Sequence, residues 1–165
     1  MPDLDKRMET LDEMFQDSKR LFVQGAYDTK NYDALRQIWE AVIYTHNKPD
    51  EERYQKYLED MTTQRNLAEV YQALNIFNIS SFHNGLTEGE NRIKDIHIPV
   101  LIAWGENDLV VTRDMTEEIR EDFGDKANYQ ELRGCGHSPL VDDIDQLIGV
   151  MEDFFSNVNL TKRGV

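Results

Sequence analysis

The sequence predicts an α/β chain: four helices over about residues 1–92, then two parallel strands with covering helices over residues 93–165. Three observations carry that prediction. Apolar residues recur every three or four positions as far as about residue 77, which is helical spacing. The period then changes, and Val100-Leu-Ile-Ala-Trp104 is a continuous apolar run, as expected of a strand covered on both faces of a parallel sheet. A helical pattern at 113–123 separates that run from a second strand-like segment at 127–132, the order of a crossover between parallel strands.

Each element has its own reason. Leu4, Met8, Leu11, Met14, Phe15, Leu21 and Phe22 predict one amphipathic helix over 3–24, with Gly25 as its stop. Leu35, Ile38, Trp39, Val42 and Ile43 predict a second over 30–46. Pro49 marks a boundary, and Asp50, Glu51 and Glu52 suit the positive N-terminal end of a third helix over 50–61. A fourth, over 64–77, carries Leu67, Val70, Tyr71, Leu74 and Phe77, with Thr62 or Thr63 as cap. The aromatic-rich faces of this helical first half are expected to form helix–helix core, with lining of an apolar substrate cavity as the alternative. Residues 78–97, rich in Asn, Ser and Gly, read as a connector. Pro99 is tolerated only at the start of the strand that follows. Thr112 caps the 113–123 helix, Ile119 and Phe123 lie on one face, and Gly124 ends it. The final helix covers 142–156, with Ile144, Leu147, Ile148, Met151 and Phe154 or Phe155 inward and Asp142 and Asp143 at its favourable end. The tail from Asn159 to Val165 is expected to fray.

Composition narrows the function. With 32 acidic against 18 basic residues the net charge is −14, which lacks the basic footprint of a nucleic-acid binder and disfavours anionic membrane surfaces. No stretch approaches the roughly 20 apolar residues of a membrane span. The N-terminal Met-Pro-Asp-Leu-Asp-Lys lacks the basic region and apolar run of a signal peptide. The single cysteine, Cys135, permits no internal disulfide, so a reducing, cytoplasmic setting is expected. His46, His83, His97 and His137 are scattered, and no motif calls for a metal or cofactor. Asp142-Asp-Ile-Asp145 lacks the glycine and distal Glu of a calcium loop, so helix capping explains it better.

The chemistry concentrates in two short stretches. Asp108 lies just past the first strand, in Gly105-Glu-Asn-Asp108, and His137 lies past the second, in Gly134-Cys-Gly-His137. Taken singly, the Asp is a turn former and the His a structural residue. Together they stand at the carboxyl edge of one crossover, where chemistry in open α/β sheets gathers. Adjacent strands lie about 4.8 Å apart, so side chains on neighbouring loops can meet. A carboxylate on one ring nitrogen sets the tautomer and orientation of the imidazole and stabilises the imidazolium.

Pro99-Val-Leu-Ile-Ala-Trp-Gly-Glu-Asn-Asp-Leu-Val-Val111, a helix, a short strand and Gly134-Cys-Gly-His-Ser-Pro-Leu140 resemble the C-terminal segment of the α/β-hydrolase superfamily, over about residues 97–156. The resemblance implies a partial α/β-hydrolase fold, with residues 1–92 as a helical cap and residues 93–165 as the end of the core. It implies that Asp108 and His137 are the catalytic acid and base. The family's nucleophile elbow, Gly-x-Ser-x-Gly or its Asp or Cys variant, is absent, as is the oxyanion-hole loop. Serines 18, 80, 81, 138 and 156 lack the flanking glycines. Cys135, two residues from His137, is better explained as a small packed residue than as a nucleophile.

The resemblance therefore implies a chain that lacks the first six strands, is inactive alone, and exposes apolar faces that need a partner. Expected partners are the N-terminal half of the fold or a second copy, and a small-molecule substrate with an apolar part. Hydrolysis of an ester, thioester, amide or lactone by a Ser on other sequence is the preferred activity. The alternatives are an epoxide hydrolase or dehalogenase type with an Asp nucleophile, where Tyr44, Tyr54 or Tyr57 would hold an epoxide oxygen, and a non-catalytic binding module.

Overall fold

The computed structural model describes residues 7–163, with side chains as far as Val158. Its elements in chain order are α1 (Leu11–Gln16), α2 (Ser18–Asp28), α3 (Tyr32–Val42), α4 (Glu51–Met61), α5 (Leu67–Ile76), β1 (Val100–Gly105), α6 (Arg113–Phe123), β2 (Ala127–Leu132), α7 (Pro139–Asp142) and α8 (Ile144–Arg163). Short 3-10 turns at Ile93–Asp95 and Gly124–Lys126 precede β1 and β2. The helices and the two-stranded parallel sheet make this a mixed α/β chain. Two compact units divide it. One comprises the residues up to Arg36 together with Glu52–Arg92, and the other comprises Gln37–Glu51 with the residues from Ile93 onward. The division falls inside α3.

In the first unit, local capping overrides the periodicity that predicts one helix over 3–24. Leu4 lies outside the described residues. Thr10 and Glu13 form a reciprocal capping box that starts α1 at Leu11. Asp17 then leaves helical geometry and its carboxylate accepts the Arg20 amide at 2.7 Å, which opens α2. Arg20, only 6% exposed, donates from Nε to the Met14 carbonyl and from Nη2 to the Phe15 carbonyl, satisfying acceptors that the end of α1 leaves over. Gly25 does not stop α2, which runs on to Asp28 before Lys30 turns with a φ of 53°. Thr62 and Thr63 do not cap α5; their hydroxyls donate to carbonyls at the end of α4, and Asn66 stands at the α5 N-cap. Met14, Leu35, Tyr54 and Leu58 are fully buried. Phe22 and Phe77, aromatics expected in the core, are exposed, as are Leu21 and Leu74 beside them in the helical pattern.

The second unit is organised by the sheet. β1 and β2 pair in parallel from Val100 opposite Ala127 to Gly105 opposite Leu132. Thr112 caps α6 by accepting the Met115 amide, and Gly124 ends it with positive φ. Thr116 is the buried residue of α6, whereas Ile119 is exposed. β1 is not covered on both faces: Ala103 is exposed and only Trp104 and Gly105 are buried. The same holds for α8, where Leu147 and Phe154 are half-buried but Ile144, Ile148, Met151 and Phe155 are exposed. The cause is width. Two strands about 4.8 Å apart make a platform no wider than one helix of about 10 Å, so a second apolar stripe has nothing beneath it. The tail expected to fray from Asn159 continues as helix to Arg163; residues 164–165 lie outside the described residues. Among the described residues no helix is long and apolar enough to cross a membrane.

Burial, reinforced by the nearby Tyr71, pushes the Tyr27 hydroxyl up to about 12. An unfolded tyrosine ionises near pH 10. The neutral Tyr27 therefore contributes stability that is complete below pH 10 and is lost as pH rises from about 10 to about 12. Urea melts across that window should show falling stability, and Tyr27→Phe should remove part of the fall. An unchanged alkaline profile in Tyr27→Phe contradicts this assignment.

Candidate active site

The site forms where β1 and β2 end together. Past Gly105 the chain turns back on itself, with the Asp108 amide donating to the Gly105 carbonyl at 3.0 Å. Trp104, 6% exposed, closes the loop from the other side, its indole N–H donating to the Val111 carbonyl at 2.7 Å. Asp108 Oδ1 accepts the amides of Val110 and Val111 at 2.7 and 2.9 Å. Asp108 is thus a turn former, as its local sequence implies. It is also more than that, because the same carboxylate reaches His137.

His137 arrives on a turn stitched to the first. The Glu106 amide donates to the Leu132 carbonyl, and the Asn107 amide to the Cys135 carbonyl. Gly134 has a φ of 69°, a conformation that side chains resist. Gly105 serves a different need, because a Cβ there would stand 2.2 Å from the Gly136 carbonyl oxygen. The two turns can touch only with hydrogen at that position. His137 Nδ1 then lies 3.0 Å from Asp108 Oδ2 and 3.1 Å from Oδ1. The carboxylate is largely enclosed, with 7% of its side chain exposed, while the imidazole is 33% exposed. Among the described residues the imidazole bonds only Asp108, through Nδ1.

Such an arrangement can hold the proton on Nδ1 and leave Nε2 as the basic nitrogen. A cavity of about 210 Å³ adjoins the pair, lined by Trp104, Gly105, Val111, Gly136 and Pro139 among others. A larger cavity of about 590 Å³ lies elsewhere, beside Arg120, Glu121, Asp125 and Tyr129. There Arg120 stacks 4.2 Å from the Tyr129 ring and pairs with Glu117, and no histidine is among the described lining residues. Among the described residues no three His, Cys, Asp or Glu side chains cluster as metal ligands would.

The meeting of Asp108 with His137 was expected from the sequence, but the contacts that hold the two turns were not. Glu106 Oε2 accepts the Gly134 amide at 2.9 Å, and Asp142 Oδ2 accepts the Gly136 amide at 2.7 Å. Asp142 does not cap the last helix, contrary to expectation; Asp143 does so alone, accepting the Gln146 amide at 2.9 Å. No local pattern announces either contact. Among the described residues no serine hydroxyl bonds His137. Cys135 is fully buried, and burial, aided by the charges of Asp142 and Asp143, pushes its thiol up. Of the tyrosines considered for an epoxide oxygen, Tyr54 is taken up by the core of the first unit, its ring 4.3 Å from the Arg36 guanidinium.

This chain is therefore an α/β protein with an Asp–His pair at the carboxyl edge of a parallel sheet. No family model matches it. It is 24% identical over 136 residues to the 2-hydroxy-6-oxononadienedioate/2-hydroxy-6-oxononatrienedioate hydrolase 1 of Dechloromonas aromatica (strain RCB), a match covering 82% of this chain and 45% of that protein. The match thus takes in less than half of that relative's length. Likeness to a hydrolase supports the α/β-hydrolase resemblance at that coarse level.

The Cys135 environment makes a direct prediction. The native chain should leave Cys135 unreactive towards an aromatic disulfide reagent at pH 8, with one thiol appearing on denaturation. Rapid labelling of the native chain contradicts the buried, protonated thiol.

Proposed function

We propose that this chain supplies the acid–base half of an α/β-hydrolase active site, acting with a serine nucleophile carried on other sequence. The observation that carries the reading is the Asp108 carboxylate on His137 Nδ1 at 3.0 Å, with the imidazole part-exposed beside a cavity. His137 Nε2 takes the serine proton as the oxygen attacks a carbonyl carbon. Asp108 holds the resulting imidazolium, which then protonates the leaving group. Water repeats the sequence on the acyl-enzyme. Ester, thioester, amide and lactone bonds all fit this chemistry. The relative named above is, by its name, a hydrolase of 2-hydroxy-6-oxononadienedioate and 2-hydroxy-6-oxononatrienedioate. Alone, the pair lacks a nucleophile and an oxyanion hole and is inactive in acyl transfer.

The exposed stripe on α8 and the bare edges of a two-stranded sheet support a partner, either the N-terminal half of such a fold or a second copy. In this reading the helices of residues 1–92 act as a cap, the substrate has an apolar part, and the setting is cytoplasmic.

Two measurements test the proposal. Mixed with a matching N-terminal half, the chain should hydrolyse a short acyl ester, and His137→Ala should lower kcat/KM by about a thousandfold or more. Activity that survives His137→Ala rejects the role of His137. In solution without such a partner the chain should associate, and a monodisperse 19.3 kDa monomer with a cooperative melt contradicts the need for cover.

A further inference from the structure

We propose that Asp142 is a positioning residue for His137, acting through the backbone of the Gly134–His137 turn and tying that turn to the Thr45–Asn47 segment; the proposal rests on the reading of His137 as the general base. An imidazole has two side-chain torsions, so its place is set mainly by the backbone that carries it. That backbone lies past the end of β2, where no ladder holds it. The amide of Gly136, the residue just before His137, donates to Asp142 Oδ2 at 2.7 Å. The other oxygen, Oδ1, accepts the Asn47 amide at 3.2 Å, and the Asn47 side-chain amide donates to the Asp142 carbonyl at 2.9 Å. One carboxylate therefore serves both the His-bearing turn and a segment that lies 95 positions before Asp142 in the chain.

Packing points the same way. A Cβ on Gly136 would stand 3.3 Å from Thr45 Oγ1 and 3.4 Å from Asp142 Oδ2, so the turn is pressed against both partners. The helix-capping role that would otherwise explain an acid here is filled by Asp143. A charge-assisted bond is shorter and stronger than a neutral one, which suits a residue that must hold a loop in one place. Losing it frees the turn and loosens the 3.0 Å contact between His137 Nδ1 and Asp108 without touching either side chain.

The test is nitrogen-15 NMR of the full chain, with the His137 ring signals assigned by their loss in His137→Ala. In the unsubstituted chain His137 should show a protonated, hydrogen-bonded Nδ1 at neutral pH, a signature that Asp108→Asn alters. Asp142→Ala should move the ring signals towards those of an exposed histidine and speed exchange of the Gly136 amide roughly tenfold or more. The Gly134 amide, held by Glu106, should change little. Asp142→Asn guards against a folding failure: its amide has one acceptor oxygen for two N–H groups, so it should give an intermediate shift. If either Asp142 variant folds and keeps the unsubstituted His137 signature, the positioning role is overturned and the acid–base reading stands. If the unsubstituted chain lacks the bonded Nδ1 proton, both are overturned.

Discussion

Parallel pairing of two short strands is the constraint on which the candidate site depends. In register from Val100 opposite Ala127 to Gly105 opposite Leu132, β1 and β2 end side by side and point the same way. The loops that leave them must then share the same edge. An antiparallel pair would send Asp108 and His137 to opposite ends of the sheet. With the strands parallel, a carboxylate and an imidazole 29 positions apart come within 3.0 Å. The close approach needs Gly105, because any side chain there would strike the neighbouring turn. It also needs Trp104, whose indole N–H ties the strand end to the far side of the acid-bearing loop.

The sheet that creates this edge is too small to bury the chain around it. A two-stranded platform accepts one stripe of a covering helix, and the second stripe of α8, from Ile144 to Phe155, stays in solvent. Ile98 and Leu140 in the same unit are also exposed. In the proposed reading this is the surface that the N-terminal half of the fold or a second copy would cover.

Carboxylates in this chain do several structural tasks beyond the pair itself. Asp17 and Asp143 cap helices. Asp108 braces its own turn while meeting His137. Glu106 and Asp142 grip the His-bearing turn by its amides. Each accepts backbone N–H groups that no helix or ladder satisfies, the accounting that every buried or half-buried loop must meet. The strong acidic bias of the composition thus has a local use, although most of its acids lie on the surface.

What the sequence alone determined follows from short-range physics. The change of period at Val100, the Thr112 cap, the Gly124 stop and the two strands are all legible because each depends on neighbours within a few residues. The candidate pair is legible too, since a Gly-x-x-Asp turn and a Gly-x-Gly-His turn after parallel strands must face one edge. The break at Asp17 was not, because one cap and the buried Arg20 outweigh an unbroken apolar period. Burial was not legible either: Ile119, Ile148 and Phe155 have core spacing, but a residue is buried only where something lies against it. The clamp from Asp142 to Gly136 and Asn47 joins positions far apart in the chain, so no local pattern encodes it. Spacing decided which residues could form the site; only the tertiary structure decided what holds them there and which apolar faces remain bare.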